Sequence, residues 1–508
     1  MMNSMFSTKS LTKILNEAPA RGAGFKRTLN RLNLTNIGIG AIIGAGIFVL
    51  TGQIAAMYAG PAIVISFLIS GLACALVALC YAEFASMIPV DGSAYTYGYA
   101  TFGELFAWII GWNLVAEYLF SAATVAVGWS GYVISFLKDC GIFIPAKFTA
   151  ATGTVLYNIP DLGWQSLSGL SKETLATIDV HSLQYVTATM NLPAMFIVAV
   201  LTILLVIGIS ESANFNGLMV LIKVAAIILF VGIGFSFVHA SNWHPFIPEN
   251  SGEWGHYGIS GILRGAAVVI IAYIGFDAVS TTAQEAENPQ RDIPWASLVS
   301  LGISTILYIL MAIVLTGLVS YTQLNVADPI AVGVNAMGHG MFWFRPIIKI
   351  AAIAGLTSII LVMILGLPRI FFSMSKDGLL PTFFSKMHKR FKTPYIGTVL
   401  TGIAAIILAG IFPINVLGEM VSICTLMVFV IVCIGIIVLR RKRPDLPRPF
   451  RTPWVPFIPA LGALICLIQM FSLPFDTWLR MIAWLVMGFA VYFSYGIFHS
   501  VLLNDKNE

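Results

Sequence analysis

The sequence predicts an all-α integral membrane protein with twelve transmembrane helices, and three observations carry that expectation. Of its 508 residues, 58% are hydrophobic and only 10% are charged, with a mean hydropathy of +0.89. A water-soluble chain needs more charge than that to cover its surface. Apolar stretches long enough to cross ~30 Å of hydrocarbon, or about 20 helical residues, recur along nearly the whole chain. Between them Lys and Arg gather in short loops, the pattern of topology signals.

Taken in order, the apolar segments place spans at 33–58, 61–88, 104–137, 192–210, 215–238, 259–284, 294–320, 343–374, 395–412, 415–440, 455–473 and 478–502. An even number of spans leaves both termini on one side. Lys26, Arg27 and Arg31 fall on that side, as do Lys386, Lys389, Arg390 and Lys392, and then Arg440, Arg441, Lys442 and Arg443. The positive-inside rule therefore assigns it to the cytoplasm. The expected location is a cell membrane, the cytoplasmic membrane in a bacterium. Residues 1–32 are polar and basic and lack the apolar core and cleavage site of a signal peptide.

The same distribution of charge argues against a nucleic-acid partner, because the net charge of +5 is spread over loops rather than gathered on one face. Cys74, Cys80, Cys140, Cys424, Cys433 and Cys466 lie mostly within apolar segments and show neither metal spacing nor a disulfide framework. They read as small apolar packing residues. The long loop 138–191, rich in Ser, Thr and Gly, reads as an external cap. No HExxH, phosphate loop or nucleophile elbow occurs. An enzyme, a cofactor and a metal are not expected, and neither is a built-in ATPase.

Two segments stand out. The first span contains Gly38, Gly40, Gly44 and Gly46, each a helix penalty of roughly 1 kcal/mol relative to alanine. The sixth carries Tyr273-Ile274-Gly275-Phe276-Asp277 deep in apolar sequence. Close packing through the Gly40–Gly44 pair accounts for the first segment alone. Glycine interruptions at matching positions in two halves of a chain account for both, and they mark a transporter site. Backbone that leaves the helix at mid-membrane must be buried or line a cavity. Freed amides at one half-helix would bind a carboxylate, and freed carbonyls would bind an ammonium. One pair of breaks thus reads both ends of a free amino acid. The expected contacts are Ile42, Ile43, Gly44, Ala45 and Gly46 in the first span, and Ile271, Tyr273, Ile274, Gly275 and Phe276 in the sixth.

Here a resemblance becomes specific. The run from Ile37 through Gly46 to Gly52, Tyr81-Ala82-Glu83-Phe84, Asp91-Gly92-Ser93-Ala94-Tyr95, Tyr273 to Asp277 with Glu285-Ala286-Glu287-Asn288-Pro289-Gln290, and Pro368-Arg369 with Lys376-Asp377-Gly378-Leu379-Leu380-Pro381 resemble the amino acid–polyamine–organocation superfamily. Within it they most resemble the cationic amino acid transporter family. The resemblance implies a five-plus-five inverted repeat, 33–238 and 259–440, followed by two further helices in 441–502 and a tail at 503–508. It also implies alternating access.

Ionisable groups inside a membrane cost roughly 2.5–3.5 kcal/mol each on insertion scales, so each needs a reason. Lys223 lies in the fifth span, followed by an unrelieved apolar run. The resemblance sets it beside the first break, where sodium-coupled relatives hold a cation, with Thr357 and Ser358 of the eighth span as hydroxyl neighbours. Desolvation disfavours the charged form of any lysine, so proton coupling through Lys223 is expected, with snorkelling to the headgroups the alternative. Glu117 in the third span is expected to pair with Lys223, and Asp277 to brace the lower half of the sixth helix. Glu83, Glu285 and Glu287 read as solvated faces or gating pairs at helix ends. Ile271 stands where many superfamily members carry an aromatic gate, and Leu356 where similar arginine carriers have a small residue. Leu356 is therefore expected to restrict the pocket to small or medium neutral side chains. The function expected is proton-coupled amino acid transport, with an amino acid or polyamine exchanger or a sodium-coupled carrier of the same fold as the alternative. The partners expected are an amino acid, the proton and membrane lipid.

Overall fold

The computed structural model describes residues 7–9, 29–88, 93–159, 163–167, 179, 182–208, 213–277, 279, 286–341, 343–388, 390–391 and 393–504. Helix α1 (Arg31–Ile42) starts where the Asn30 side chain accepts from the Asn33 amide at 2.9 Å, a side-chain cap on an otherwise orphaned donor. After an interruption the chain winds on from Gly46 to Ala59, with wide π turns at Gly46–Leu50 and Ala55–Ala59. Gly60, at φ 61°, then turns the chain through Pro61 into α2 (Ile63–Met87). A short helix, Ser93–Thr101, leads to α3 (Glu104–Asp139).

Next come α4 (Leu192–Ile207), closed by left-handed Gly208, and α5 (Ala213–Gly234). Helix α6 (Gly258–Val269) tightens into a 3-10 turn, Ile270–Tyr273, and stops. Then follow α7 (Pro289–Leu318), a short helix Pro329–Ala336, α8 (Phe344–Lys376), α9 (Tyr395–Ile411), α10 (Ile414–Lys442), α11 (Phe457–Ser472) and α12 (Phe475–Val491). Among the described residues, 7 helical segments are long and apolar enough to cross a membrane. Leu192–Ile207, Gly258–Tyr273, Tyr395–Ile411 and Phe457–Ser472 are shorter apolar helices.

The elements differ from the sequence reading at three places. The sixth span, expected over 259–284 with a break at Ile274–Phe276, is interrupted after Tyr273 and Val279 is helical again; residues 278 and 280–285, with Glu285, lie outside those described. Helix α7 begins at Pro289 rather than 294, because a proline in the first turn gives up an N–H that has no intrahelical partner anyway. The polar loop 138–191 contains a three-stranded antiparallel sheet of order β2-β1-β3, built from β1 (Val155–Ile159), β2 (Gly163–Gln165) and β3 (Tyr185–Thr187).

Packing sorts the helices into two groups. Helices α1, α2, α6 and α7 pack on one another, and α3, α4, α8 and α9 form a second set. Helix α10 leans on α2, α3 and α11. Both chain ends meet on one face: Lys9 Nζ donates to Asp377 Oδ1 at 3.0 Å, and the Val501 amide donates to the Asp377 carbonyl at 3.2 Å. On the opposite face, fully buried Lys349 of α8 donates to Asp139 Oδ2 at 2.6 Å and to Ser135 Oγ at 2.7 Å. The Ser135 hydroxyl donates to Asp328 at the head of the short helix.

Helix α12 is fastened along the first half of α3. Trp112 Nε1 donates to the Trp484 carbonyl at 2.7 Å, and Trp484 Nε1 returns a bond to the Trp112 carbonyl at 3.0 Å. Trp108 Nε1 reaches the Gly488 carbonyl at 3.0 Å. Tyr492 donates to Glu104 at 3.0 Å, and Ser500 donates to the same carboxylate.

Glu83, at the end of α2, is fully buried rather than solvated. Arg440 forks onto both its oxygens at 2.9 and 2.7 Å, Arg448 lies at 3.3 Å, and the Thr452 amide donates at 2.8 Å. This ties the α10–α11 connection to α2. Removing one member of a buried pair leaves the other charge uncompensated, at a cost of roughly 3–5 kcal/mol. Glu83→Ala is therefore expected to lower the melting temperature of the purified protein sharply. Glu253→Ala, whose side chain is 78% exposed, should leave it nearly unchanged, and equal melting of the two variants would contradict this assignment.

Candidate substrate-binding site

Helix α1 ends because Ile43 turns extended, at φ −74° and ψ 108°, and its amide makes the last α bond, to the Ile39 carbonyl at 2.9 Å. Gly44 bends, and its carbonyl accepts from the Ile47 and Phe48 amides, both at 3.1 Å, which starts the second half-helix. In the sixth segment Ile274 is extended at φ −57° and ψ 133°, and Gly275 takes φ 117°. That conformation is left-handed and open to glycine at little cost. The Gly275 amide donates to Asp277 Oδ1 at 3.3 Å, so the carboxylate closes the turn from within.

The two interruptions face each other at van der Waals contact. A Cβ on Gly275 would lie 2.7 Å from the backbone carbonyl of Ala41, and one on Gly46 would lie 2.5 Å from Ala272 Cα. Tyr308 of α7 joins them. Its hydroxyl is 2.8 Å from the Ile42 carbonyl and 2.7 Å from that of Ala272. A phenol has one proton, so it serves one of these carbonyls at a time.

Lys223 of α5 is 1% exposed and donates to the Gly40 and Ile43 carbonyls at 3.1 and 3.4 Å. These acceptors are ones that the end of α1 leaves without helical donors. Its stem runs over Gly355 of α8, where a Cβ would come within 3.1 Å of Lys223 Cγ. Thr357 and Ser358 are engaged otherwise than expected. Trp129 Nε1 donates to the Thr357 hydroxyl at 2.9 Å, and Ser358 donates to the Gly355 carbonyl at 3.1 Å. Glu117 is 2% exposed and, in place of the expected pairing with Lys223, lies beside Asp277 and Thr425. The lysine is drawn to the carbonyls of the break, and the carboxylate is left one helix away.

Between the breaks lies a small cavity, with about 20 Å³ in which the centre of a water molecule fits. That is room for about one water. Ala41, Ile42, Ala45 and Gly46 line it from the first segment, Ile271 and Ile274 from the sixth, Ser121 and Val125 from α3, and Ile359 and Met363 from α8. Several expected residues lie elsewhere. Leu356 is fully buried one turn away on α8 and does not line this cavity; the bulk on that wall is Ile359 and Met363. Tyr273 turns to α2, where its hydroxyl donates to the Phe67 carbonyl at 2.8 Å. Phe276 packs with Tyr81 and Phe429, at centroid distances of 5.7 and 5.4 Å. Ile43, Gly44 and Gly275 shape the breaks without lining the cavity. Gly44 makes way for Ile359, whose Cδ1 would lie 1.7 Å from a Cβ there.

Sequence reasoning missed Tyr308, Ala41, Ser121, Val125, Ile359 and Met363 as parts of the site. A signal existed for two of them. Tyr308 is a phenol within an apolar run of α7, and Ser121 follows Glu117 by one helical turn on the same face.

This is an α-helical membrane protein whose buried cavity is closed by two interrupted helices. Residues 29–492 match the amino acid permease family. The chain is 41% identical over 501 residues to the methylthioribose transporter of Bacillus subtilis, covering 99% of this chain and 100% of that protein. It is also 41% identical over 503 residues to the branched-chain amino acid permease BcaP of the same organism, with 99% and 100% covered. To the vacuolar cationic amino acid transporter 4 of Arabidopsis thaliana it is 36% identical over 449 residues, 87% of this chain and 68% of that one. The chain therefore belongs to the amino acid permease family, within the amino acid–polyamine–organocation superfamily, and is a multi-pass membrane transporter.

The contact of the breaks sets a test. Gly275→Ala forces a side chain into a left-handed backbone and against Ala41, and is expected to lower the melting temperature by several degrees. Gly217→Ala in α5, where a Cβ meets nothing within 4 Å, should raise stability by up to about 1 kcal/mol. A harmless Gly275→Ala would mean that the breaks are not held together as described.

Proposed function

We propose that the protein is a proton-coupled secondary transporter of small and medium apolar amino acids. It works by alternating access across twelve spans arranged as a five-plus-five inverted repeat with two added helices. The observation that carries this reading is the pair of facing helix interruptions around an otherwise apolar cavity. The substrate carboxylate meets amides at the start of the second half-helix near Ala45 and Gly46, and its ammonium meets carbonyls at Ile42 and Ala272. The side chain points between α3 and α8. There Val125, Ile359 and Met363 offer apolar surface, and among the described residues no carboxylate lines the cavity to receive a guanidinium. Aliphatic side chains fit that chemistry.

The relatives' names divide between a thiosugar, branched-chain and cationic amino acids. One hydroxyl in the wall matches an aliphatic amino acid better than a ligand with several hydroxyls of its own. Compactness supports the same choice. An almost closed cavity must widen to admit a substrate, and its apolar walls part more readily for a small side chain than for a long charged one.

Protonated Lys223 holds the first break to α5 through the Gly40 and Ile43 carbonyls, in the place of a bound cation. Loss of its proton weakens that tether and lets the α1–α2–α6–α7 group move against α3, α4, α8 and α9. A ligand drives such a change only by binding the two states differently. Both termini face the cytoplasm in this reading, in the cell membrane.

Proteoliposomes with imposed gradients test it. Valine and isoleucine uptake should be driven by an inward proton gradient, independent of sodium, and should far exceed arginine uptake. Lys223→Ala should abolish the stimulation by acid while valine still raises the melting temperature, because ligand binding to the folded state stabilises it. Sodium-driven uptake, or full proton dependence in Lys223→Ala, would replace this mechanism with a sodium-coupled carrier or an exchanger.

A further inference from the structure

One polar side chain in the cavity wall is left unexplained by a purely aliphatic substrate. Ser121 is 2% exposed and lines the cavity, and its hydroxyl has no hydrogen-bond partner among the described residues. Several helix hydroxyls are met locally, whereas Thr101, Ser304, Thr401 and Thr425 share the unmet state of Ser121 among the described residues but do not line the cavity. Thr124 of the same helix bonds back to the Phe120 carbonyl at 2.7 Å, and Thr316, Thr202 and Thr305 each do the same to the carbonyl four residues earlier, at 2.7–2.8 Å. A buried hydroxyl that forgoes this local bond keeps an unmet polar group. Its natural complement is a group on whatever fills the cavity.

We propose that Ser121 is a specificity-determining residue that reads a β-hydroxyl on the substrate, so that threonine is carried alongside valine and isoleucine. This rests on the amino acid reading above. Valine and threonine have the same shape, and an apolar wall alone discriminates poorly between such isosteres. With the main-chain groups of the substrate held at the two breaks, its Cβ faces α3 and α8. On α8 the wall is Ile359 and Met363, and on α3 it is Val125 and Ser121. Ser121 is the one side chain of this lining with a hydroxyl. It donates to, or accepts from, a threonine hydroxyl that would otherwise be stripped of water against aliphatic carbon. Valine offers Ser121 no partner, at a cost of no more than about one neutral hydrogen bond. The pocket therefore accepts both, and Ser121 sets the ratio. Glu117 sits one turn below on the same face of α3 with its Oε2 also unpartnered among the described residues, but it does not line the cavity. The hydroxyl nearest the substrate is that of Ser121.

The test measures uptake of threonine and valine by the same preparation, so that protein amount and folding cancel in the ratio. In Ser121→Ala the threonine-to-valine ratio of uptake efficiency should fall about fivefold, the worth of one neutral hydrogen bond. Wild-type protein gives a second measure. A directional bond should discriminate threonine from allo-threonine, which places the hydroxyl on the other side of Cβ, and Ser121→Ala should erase that preference. A ratio unchanged within twofold in Ser121→Ala, or equal uptake of the two diastereomers by wild type, would overturn the proposal while leaving transport of valine intact. Failure of the wild type to take up valine or threonine at all would instead overturn the amino acid reading on which it rests.

Discussion

A backbone amide or carbonyl has no water to turn to within hydrocarbon, and that constraint governs this molecule. An unbroken helix meets it without help. Helices α1 and α6 do not, because each stops in mid-course, and the residues around them supply what the ladder no longer does. Lys223 serves Gly40 and Ile43, Tyr308 serves Ile42 or Ala272, and Asp277 serves the Gly275 amide. The burial of an ammonium, a phenol and a carboxylate among aliphatic side chains is costly for each taken alone. Taken with the breaks, each has a defined acceptor or donor. The ionisable residues and the interruptions are one feature.

That dependence explains how much was legible in the sequence. Glycine at 44, 46 and 275 and charge at 223 and 277 are local departures from an apolar helix, and departures of that kind can be read one residue at a time. The positions of the breaks followed from them. Cavity walls are different. Leu356 and Ile359 lie one turn apart on nearly the same face of α8, so which of them reaches the cavity turns on the height and the rotation of α8 against α1. The apolar pattern of α8 is nearly continuous, so it leaves that rotation free. What fixes it is the approach of Ile359 to Gly44, a contact between distant parts of the chain. For the same reason Glu117 could be recognised as buried but not matched to its neighbours. Its expected partner was Lys223, the best cation candidate in the apolar middle of the sequence, whereas α3 brings it beside Asp277, just past the end of α6.

The outer parts of the chain showed a further limit. Glu83 looked like a helix-end carboxylate in water because its arginines are more than three hundred residues away. The sheet in 138–191 lies in a largely polar stretch, where pairing between strands far apart in sequence and the burial of a few side chains such as Leu156 and Ile159 set the backbone. In both cases the deciding interaction is non-local, and composition read in short windows does not register it.

Helix α12 carries no residue of the cavity, yet it determines where the cavity is. The reciprocal indole–carbonyl bonds of Trp112 and Trp484, with Trp108 on Gly488 and Glu104 holding Tyr492 and Ser500, bind it along α3 like a splint. Glu117 and Ser121 follow directly on that splinted length, so their place is set from α12 as well as from the cavity side. A chain shortened to end at Lys442 would retain every side chain that touches the cavity. It would lose the bonds that hold α3, and with it Ser121 of the cavity wall, against α12.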